Sequence, residues 1–219
     1  MIARGSVGVA LVLLLAAVGC ADEPEQVPAG KLVEAATRGD PAAVSGWLAR
    51  GADVNERDGA GRTAVTAAVY AGSAESVRLL VAAGADVDIR DDTRSNAFLA
   101  LGETGNVSVL EEVLSGEPDA TLTNRFGGTA LIPAAERGHV AMVQALLERT
   151  DVDVDHVNDL GWTALLEAVV LGSGGPEHQE IVRLLLAAGA DRSIGDDEGV
   201  TALEHARAKG YAAIASILD

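Results

Sequence analysis

The sequence predicts an all-α array of repeated helix pairs, and three observations carry that reading. The phrase Thr-Ala-hydrophobic stands at Thr63-Ala64-Val65, Thr129-Ala130-Leu131, Thr163-Ala164-Leu165 and Thr201-Ala202-Leu203, with a degenerate copy at Asn96-Ala97-Phe98. These copies start at positions 63, 96, 129, 163 and 201, so the steps are 33, 33, 34 and 38 residues. Self-similarity at a fixed period of this size marks stacked repeats. Two further phrases keep the same step: Gly51-Ala52-Asp53, Gly84-Ala85-Asp86 and Gly189-Ala190-Asp191, and an aliphatic run before them, as in Val77-Arg78-Leu79-Leu80 and Ile181-Val182-Arg183-Leu184-Leu185.

At the N-terminus, Arg4 precedes an apolar run over residues 7–18, broken only by Gly8. A helix needs about 20 residues to span a bilayer, so this run has the length of a secretory signal instead. It ends in Ala17-Val18-Gly19-Cys20, which resembles the lipobox of bacterial lipoproteins, with Ala17 where Leu is usual. The resemblance implies that Cys20, the only cysteine, is acylated and becomes the mature N-terminus. Two alternatives stand beside it: cleavage after Ala21, giving a soluble periplasmic or secreted chain, and retention of the segment. Residues 1–20 are therefore read as an export signal. Residues 21–30 (ADEPEQVPAG) are read as an acidic tether that reaches at most about 35 Å.

In the body of the chain, Thr63, Thr129, Thr163 and Thr201 each precede a short Ala-rich helix. A Thr there can satisfy free backbone N–H groups. Gly72, Gly105, Gly138, Gly172 and Gly210 each fall nine residues later and end that helix, because glycine takes the left-handed conformation such a stop uses. A second helix follows, ended in the same way by Gly51, Gly84 or Gly189. A period of 33 with this grammar resembles the ankyrin repeat over about residues 30–219. The resemblance implies an ankyrin-repeat solenoid of stacked helix-turn-helix units, each with a loop projecting as a β-hairpin. Residues 31–57 are then a partial first repeat. Residues 58–90, 91–123, 124–157 and 158–195 are four full repeats, and 196–219 close the stack. Terminal units must tolerate solvent, as Lys31, Glu34 and Arg38 do at one end and Glu204, Arg207 and Lys209 at the other.

Two units depart from the pattern. In 91–123, Asn96 replaces Thr, Gly102 replaces a core Ala or Val, and Gly116-Glu117-Pro118-Asp119 replaces Gly-Ala-Asp. Glycine inside a helix costs about 1 kcal/mol relative to Ala, so this unit is expected to be the least stable. In 158–195, residues 171–178 (LGSGGPEH) lengthen the connection between the two helices into a flexible excursion. It reads either as tolerated loop drift or as a functional loop beside the binding groove.

Composition narrows the function. Hydrophobic residues make up 48% of the chain but aromatics only 3%, so the core rests on small and branched aliphatics, with no aromatic walls for a flat cofactor. The net charge of −17 argues against nucleic acid and against an anionic bilayer, both of which need a basic face. It implies either solubility or a cationic partner. One cysteine allows no internal disulfide and no thiolate metal cluster. His139 is expected to make local hydrogen bonds and His205 to pack or cap. His156 and His178 are expected to be solvated loop residues, and no pair has the spacing of a helical metal site. Asp151, Asp153 and Asp155 form an acidic cluster without the glycine and terminal Glu of a calcium loop. No catalytic, cofactor or metal residues are therefore assigned.

The expected function is a non-catalytic, monomeric protein-interaction scaffold exported to the cell envelope and held there only through Cys20. Ankyrin arrays use hairpin tips and the first-helix face as a concave surface. The resemblance carries that surface onto Arg62, Tyr70, Ser95, Glu103, Arg125, Phe126, Glu136, Arg137, Leu160, Trp162 and Val170. Phe126, Leu160 and Trp162 stand out as bulky apolar groups at loop tips, where exposed aromatics anchor interfaces. Trp162 packing sideways on its neighbour is the alternative. The stretches 128–140 and 162–180 are similar to a subgroup of exported bacterial ankyrin proteins linked to oxidative-stress defence beside catalases, which implies a stress-protection accessory as a second reading. A metal-dependent module and a purely structural envelope protein are the remaining ones.

Overall fold

The computed structural model describes residues 28–219, so the signal segment, Cys20 and most of the acidic tether lie outside the described residues. Six helix pairs follow in order: α1 (Lys31–Thr37) and α2 (Pro41–Ala49), α3 (Ala64–Ala71) and α4 (Ala74–Ala82), α5 (Ala97–Thr104) and α6 (Leu110–Leu114), α7 (Leu131–Glu136) and α8 (Val140–Arg149), α9 (Ala164–Val170) and α10 (Pro176–Ala187), α11 (Ala202–Ala208) and α12 (Ala212–Leu218). The odd-numbered helices pack one on the next as an inner layer. They are rich in buried alanine, including Ala35, Ala68, Ala100, Ala134 and Ala168, and small side chains let the rods approach. The even-numbered helices form the outer layer and send Leu80, Leu110, Leu146, Leu185 and Leu218 inward to full burial. Each such leucine contributes about 1.5–3 kcal/mol relative to exposure.

The caps form as expected at Thr63, Thr163 and Thr201, whose hydroxyls accept from the N–H groups of Thr66, Leu166 and Glu204. Asn96 caps α5 equally well, accepting from the Leu99 N–H at 2.8 Å. Thr129 does not cap. Pro133 has no N–H to give the Thr129 carbonyl, which takes the Ile132 N–H at 3.3 Å instead. That leaves the Thr129 hydroxyl buried and without a partner among the described residues.

Glycine stops are left-handed at Gly72, Gly105, Gly138 and Gly210, but not at Gly172. There the inserted segment postpones the left-handed residue to Gly174 (φ 72°). Gly172 is required for a different reason: a Cβ would lie 2.0 Å from the Ala168 carbonyl. The insertion is also shorter as a loop than the sequence suggests, because α10 starts at Pro176, the first helical position, where its missing N–H and fixed φ suit a helix start.

The projecting connections carry isolated bridges, Arg57 to Thr63 and Gly195 to Thr201, in place of the expected β-hairpins. In the 91–123 unit, Gly102 is a close contact rather than a helix defect, since a Cβ would sit 2.0 Å from the Ala130 carbonyl. The second helix of this unit is short and enters through a 3-10 turn (Val107–Val109). Two non-glycine residues in the unit are left-handed, Arg94 (φ 62°) and Glu117 (φ 53°).

Candidate functional site

The projecting turns share one skeleton. Asp58, Asp91, Asn124, Asn158 and Asp196 each donate their backbone N–H to the carbonyl four residues on. Each Oδ1 also accepts the N–H groups two and four residues on, for example Phe126 and Gly128 on Asn124, and Leu160 and Trp162 on Asn158. The residue two past the Asx position is thereby held at the tip. Successive turns place Ala60, Thr93, Phe126, Leu160 and Glu198 there. Phe126 and Leu160 are thus register equivalents on adjacent turns, joined by the Asp159 N–H on the Phe126 carbonyl at 2.9 Å. They are 49% and 50% exposed, although nothing in the turn geometry requires a bulky group.

The structure brings most of the expected surface residues together. Arg62, Tyr70, Arg125, Phe126, Glu136 and Arg137 line one cavity of about 360 Å³, with Glu103 beside them. The Arg62 guanidinium lies over the Tyr70 ring at 4.9 Å, and that of Arg125 over Phe126 at 4.7 Å. Tyr70 donates to Glu103 at 2.9 Å. Burial, with help from that carboxylate, pushes the phenol up to about 12, so it stays a donor at neutral pH. The result is a mixed-charge groove in a strongly acidic protein. A second cavity, about 190 Å³, adjoins it and is walled by Phe126, Ile132, Pro133, Leu160 and Leu171, with Glu136 at both. Leu171 is 51% exposed.

Other expectations need correction. Ser95 is buried, not part of the open surface. Trp162 is half-buried and packs against the core, so it supports the turn rather than standing at its tip. His178 is not a solvated loop residue. It is 7% exposed within α10, and its Nε2 donates to the Glu136 carbonyl at 2.9 Å. His156 likewise donates to the Gly127 carbonyl at 2.6 Å. His139 donates to the Glu103 carbonyl at 3.4 Å, and Tyr211 to the Gly172 carbonyl at 3.1 Å. The His178, His139 and Tyr211 contacts tie neighbouring repeats together, and the His156 contact closes one repeat on its own turn. His205 meets the Asp196 carboxylate at 2.7 Å. Asp153 and Asp155 accept backbone N–H groups from Asp155 and Asp191, which explains the acidic cluster as turn and stacking chemistry.

One residue was not singled out from the sequence. Glu167 lies in the first turn of α9, 4% exposed, and lines the second cavity. Its Oε1 accepts from Asn158 Nδ2 at 2.9 Å, while Oε2 has no partner among the described residues. Burial, then the nearby Glu136 carboxylate, push it up to about 7. The available signal was positional: four residues past the cap, earlier repeats carry Ala67, Ala100 and Pro133.

Comparison with known proteins gives a consistent picture. Two family models described as ankyrin repeats match residues 97–196 and 32–81. The chain is similar to the putative ankyrin repeat protein YahD of Escherichia coli (strain K12), 48% identical over 73 residues, which is 33% of this chain and 36% of that relative. It therefore spans about a third of that relative's length. The crystal structure of an ankyrin repeat domain from Acinetobacter baumannii AYE superposes with a TM-score of 0.80 at 43% identity, covering 85% of this chain and 95% of the other. That of the ankyrin repeat protein EF0377 gives 0.83 at 40%, covering 88% and 98%.

Proposed function

The chain belongs to the ankyrin-repeat family, and on that premise we propose that its concave face captures a protein partner through Phe126 and Leu160. Ankyrin repeats are interaction scaffolds and generally non-catalytic. The observation that carries the assignment to this face is the pair of half-exposed apolar tips at equivalent positions on adjacent turns. Around them, Arg62, Tyr70, Arg125, Glu136 and Arg137 supply a polar rim of both signs. Apolar anchors ringed by polar groups are the usual anatomy of a binding patch. Trp162 acts from behind by holding the second turn.

The scaffold works at the cell envelope, anchored through lipid on Cys20. Support for this comes from the apolar run over residues 7–18 ending in the only cysteine. A lipid-anchored form partitions into the detergent phase, and Cys20→Ser abolishes that partition; an aqueous-phase wild type overturns the anchor. For the face itself, a photo-crosslinking residue is placed at Leu160 in the intact envelope, with Val107, an exposed apolar residue on the outer layer, as control. A discrete product from position 160 alone is expected. Equal labelling from both positions overturns the assignment.

A further inference from the structure

We infer that the cavity walled by Phe126, Ile132, Leu160 and Leu171 receives the side chain of a lysine from the partner, with the aliphatic stem along those walls and the ammonium on Glu167. The inference rests on the docking face proposed above and specifies one contact within it.

Size is the first argument. The cavity holds about 190 Å³, below the roughly 300–1,000 Å³ of small-molecule sites, and so suits a single side chain better than a separate ligand. Its lining combines an apolar side of Phe126, Ile132, Pro133, Leu160 and Leu171 with the polar groups of Glu167, Asn158, Asn124 and Glu136, so it offers carboxylates and no cation. The second argument is the unsatisfied acceptor. Glu167 is 4% exposed and its Oε2 has no partner among the described residues. Leaving a buried acceptor unmatched costs about 1–3 kcal/mol, more when it is charged. A carboxylate in that state, with Glu136 nearby, is stabilised by a cation arriving along the cavity.

The donor geometry favours ammonium over guanidinium. Oε1 is already engaged by Asn158, so one oxygen is free. A compact point donor matches one oxygen, whereas a planar fork loses its bidentate advantage there. Among the described residues no cluster of three or more His, Cys, Asp or Glu side chains converges for a metal ion. The lysine also comes from outside. The chain's only lysines are Lys31 and Lys209, in the first and last repeats, where Lys31 pairs with Glu34 and Lys209 lies over Tyr211.

The test uses n-pentylammonium chloride as a lysine stem and pentan-1-ol as its neutral counterpart, followed by NMR of methyl-labelled Ile and Leu in the full folded protein. Saturable shifts at Ile132, Leu160 and Leu171 are expected with the ammonium. Binding at least tenfold weaker is expected for the alcohol, and for the ammonium with Glu167→Gln. Absence of saturable shifts, or equal binding of ammonium and alcohol, overturns the subsite; the second comparison needs no variant. If the subsite fails while the Leu160 crosslink forms, the docking face stands without its lysine pocket. If the ammonium binds with its selectivity but no crosslink forms, the docking-face reading fails.

Discussion

Replacing Arg94 with glycine should stabilise the array. Four of the five projecting turns have glycine at the fourth position, Gly61, Gly127, Gly161 and Gly199, with φ of 72–77°. Arg94 takes the same place at φ 62°. The left-handed conformation costs an L-residue about 1–2 kcal/mol. Glycine avoids that, but it returns about 0.5–1 kcal/mol through greater freedom in the unfolded chain. Arg94 is exposed, so little contact energy is lost. The net gain is about 0.5–1 kcal/mol, or roughly 1–4 °C in Tm for a chain of this size. Glu117, left-handed where Gly51, Gly84 and Gly189 stand in other repeats, should respond in the same direction. Thermal melting, with hydrogen exchange to locate the gain in residues 91–123, measures both. Arg94→Ala is the control, because alanine keeps the strained conformation. A gain from Ala equal to that from Gly, or a loss from Gly, would refute the strain argument.

Three further outcomes follow from packing and burial. Gly102→Ala should destabilise by about 1–3 kcal/mol in urea titration through collision with the Ala130 carbonyl; a gain of about 1 kcal/mol would mean that helix propensity outweighs the contact. Hydrogen exchange should find residues 91–123 opening before the other internal repeats, since repeats couple mainly to neighbours; uniform protection would count against it. Glu167 is raised from 4.5 to about 7 in the fold, so its burial favours the neutral form. Its contribution is most favourable below pH 4.5 and declines as pH rises through 7, by at most about 3 kcal/mol at 1.36 kcal/mol per unit. The stability gap between Glu167→Gln and wild type should therefore shift toward the variant between pH 4.5 and 8, and a pH-independent gap would exclude the shift.

The stacked architecture was legible because its signals are local and recur: Thr63, Thr163 and Thr201 cap their helices, and Gly72, Gly105, Gly138 and Gly210 stop them where the period places them. Failures came where one residue changes its neighbour's role. Pro133 withholds an N–H and uncaps Thr129. The insertion moves a helix stop from Gly172 to Gly174 and carries His178 onto the Glu136 carbonyl in the preceding repeat. Pro176 was a readable helix start that the surrounding glycines obscured. Phe126 and Leu160 were visible as tip residues because the turns repeat, whereas Trp162, two residues on, folds back on the core. Glu167 needed three dimensions, since an exposed and a buried carboxylate look alike in sequence.

The most direct test of the binding face is the affinity of the double variant Phe126→Ala and Leu160→Ala for the partner identified by crosslinking. Both side chains are about half exposed, so their truncation should move Tm by less than about 2 °C, as is usual for surface substitutions. A buried interface anchor typically loses about 2 kcal/mol or more on truncation, close to 30-fold in Kd. The account predicts at least that loss with an intact fold. Binding within about threefold of wild type, with Tm unchanged, would contradict it.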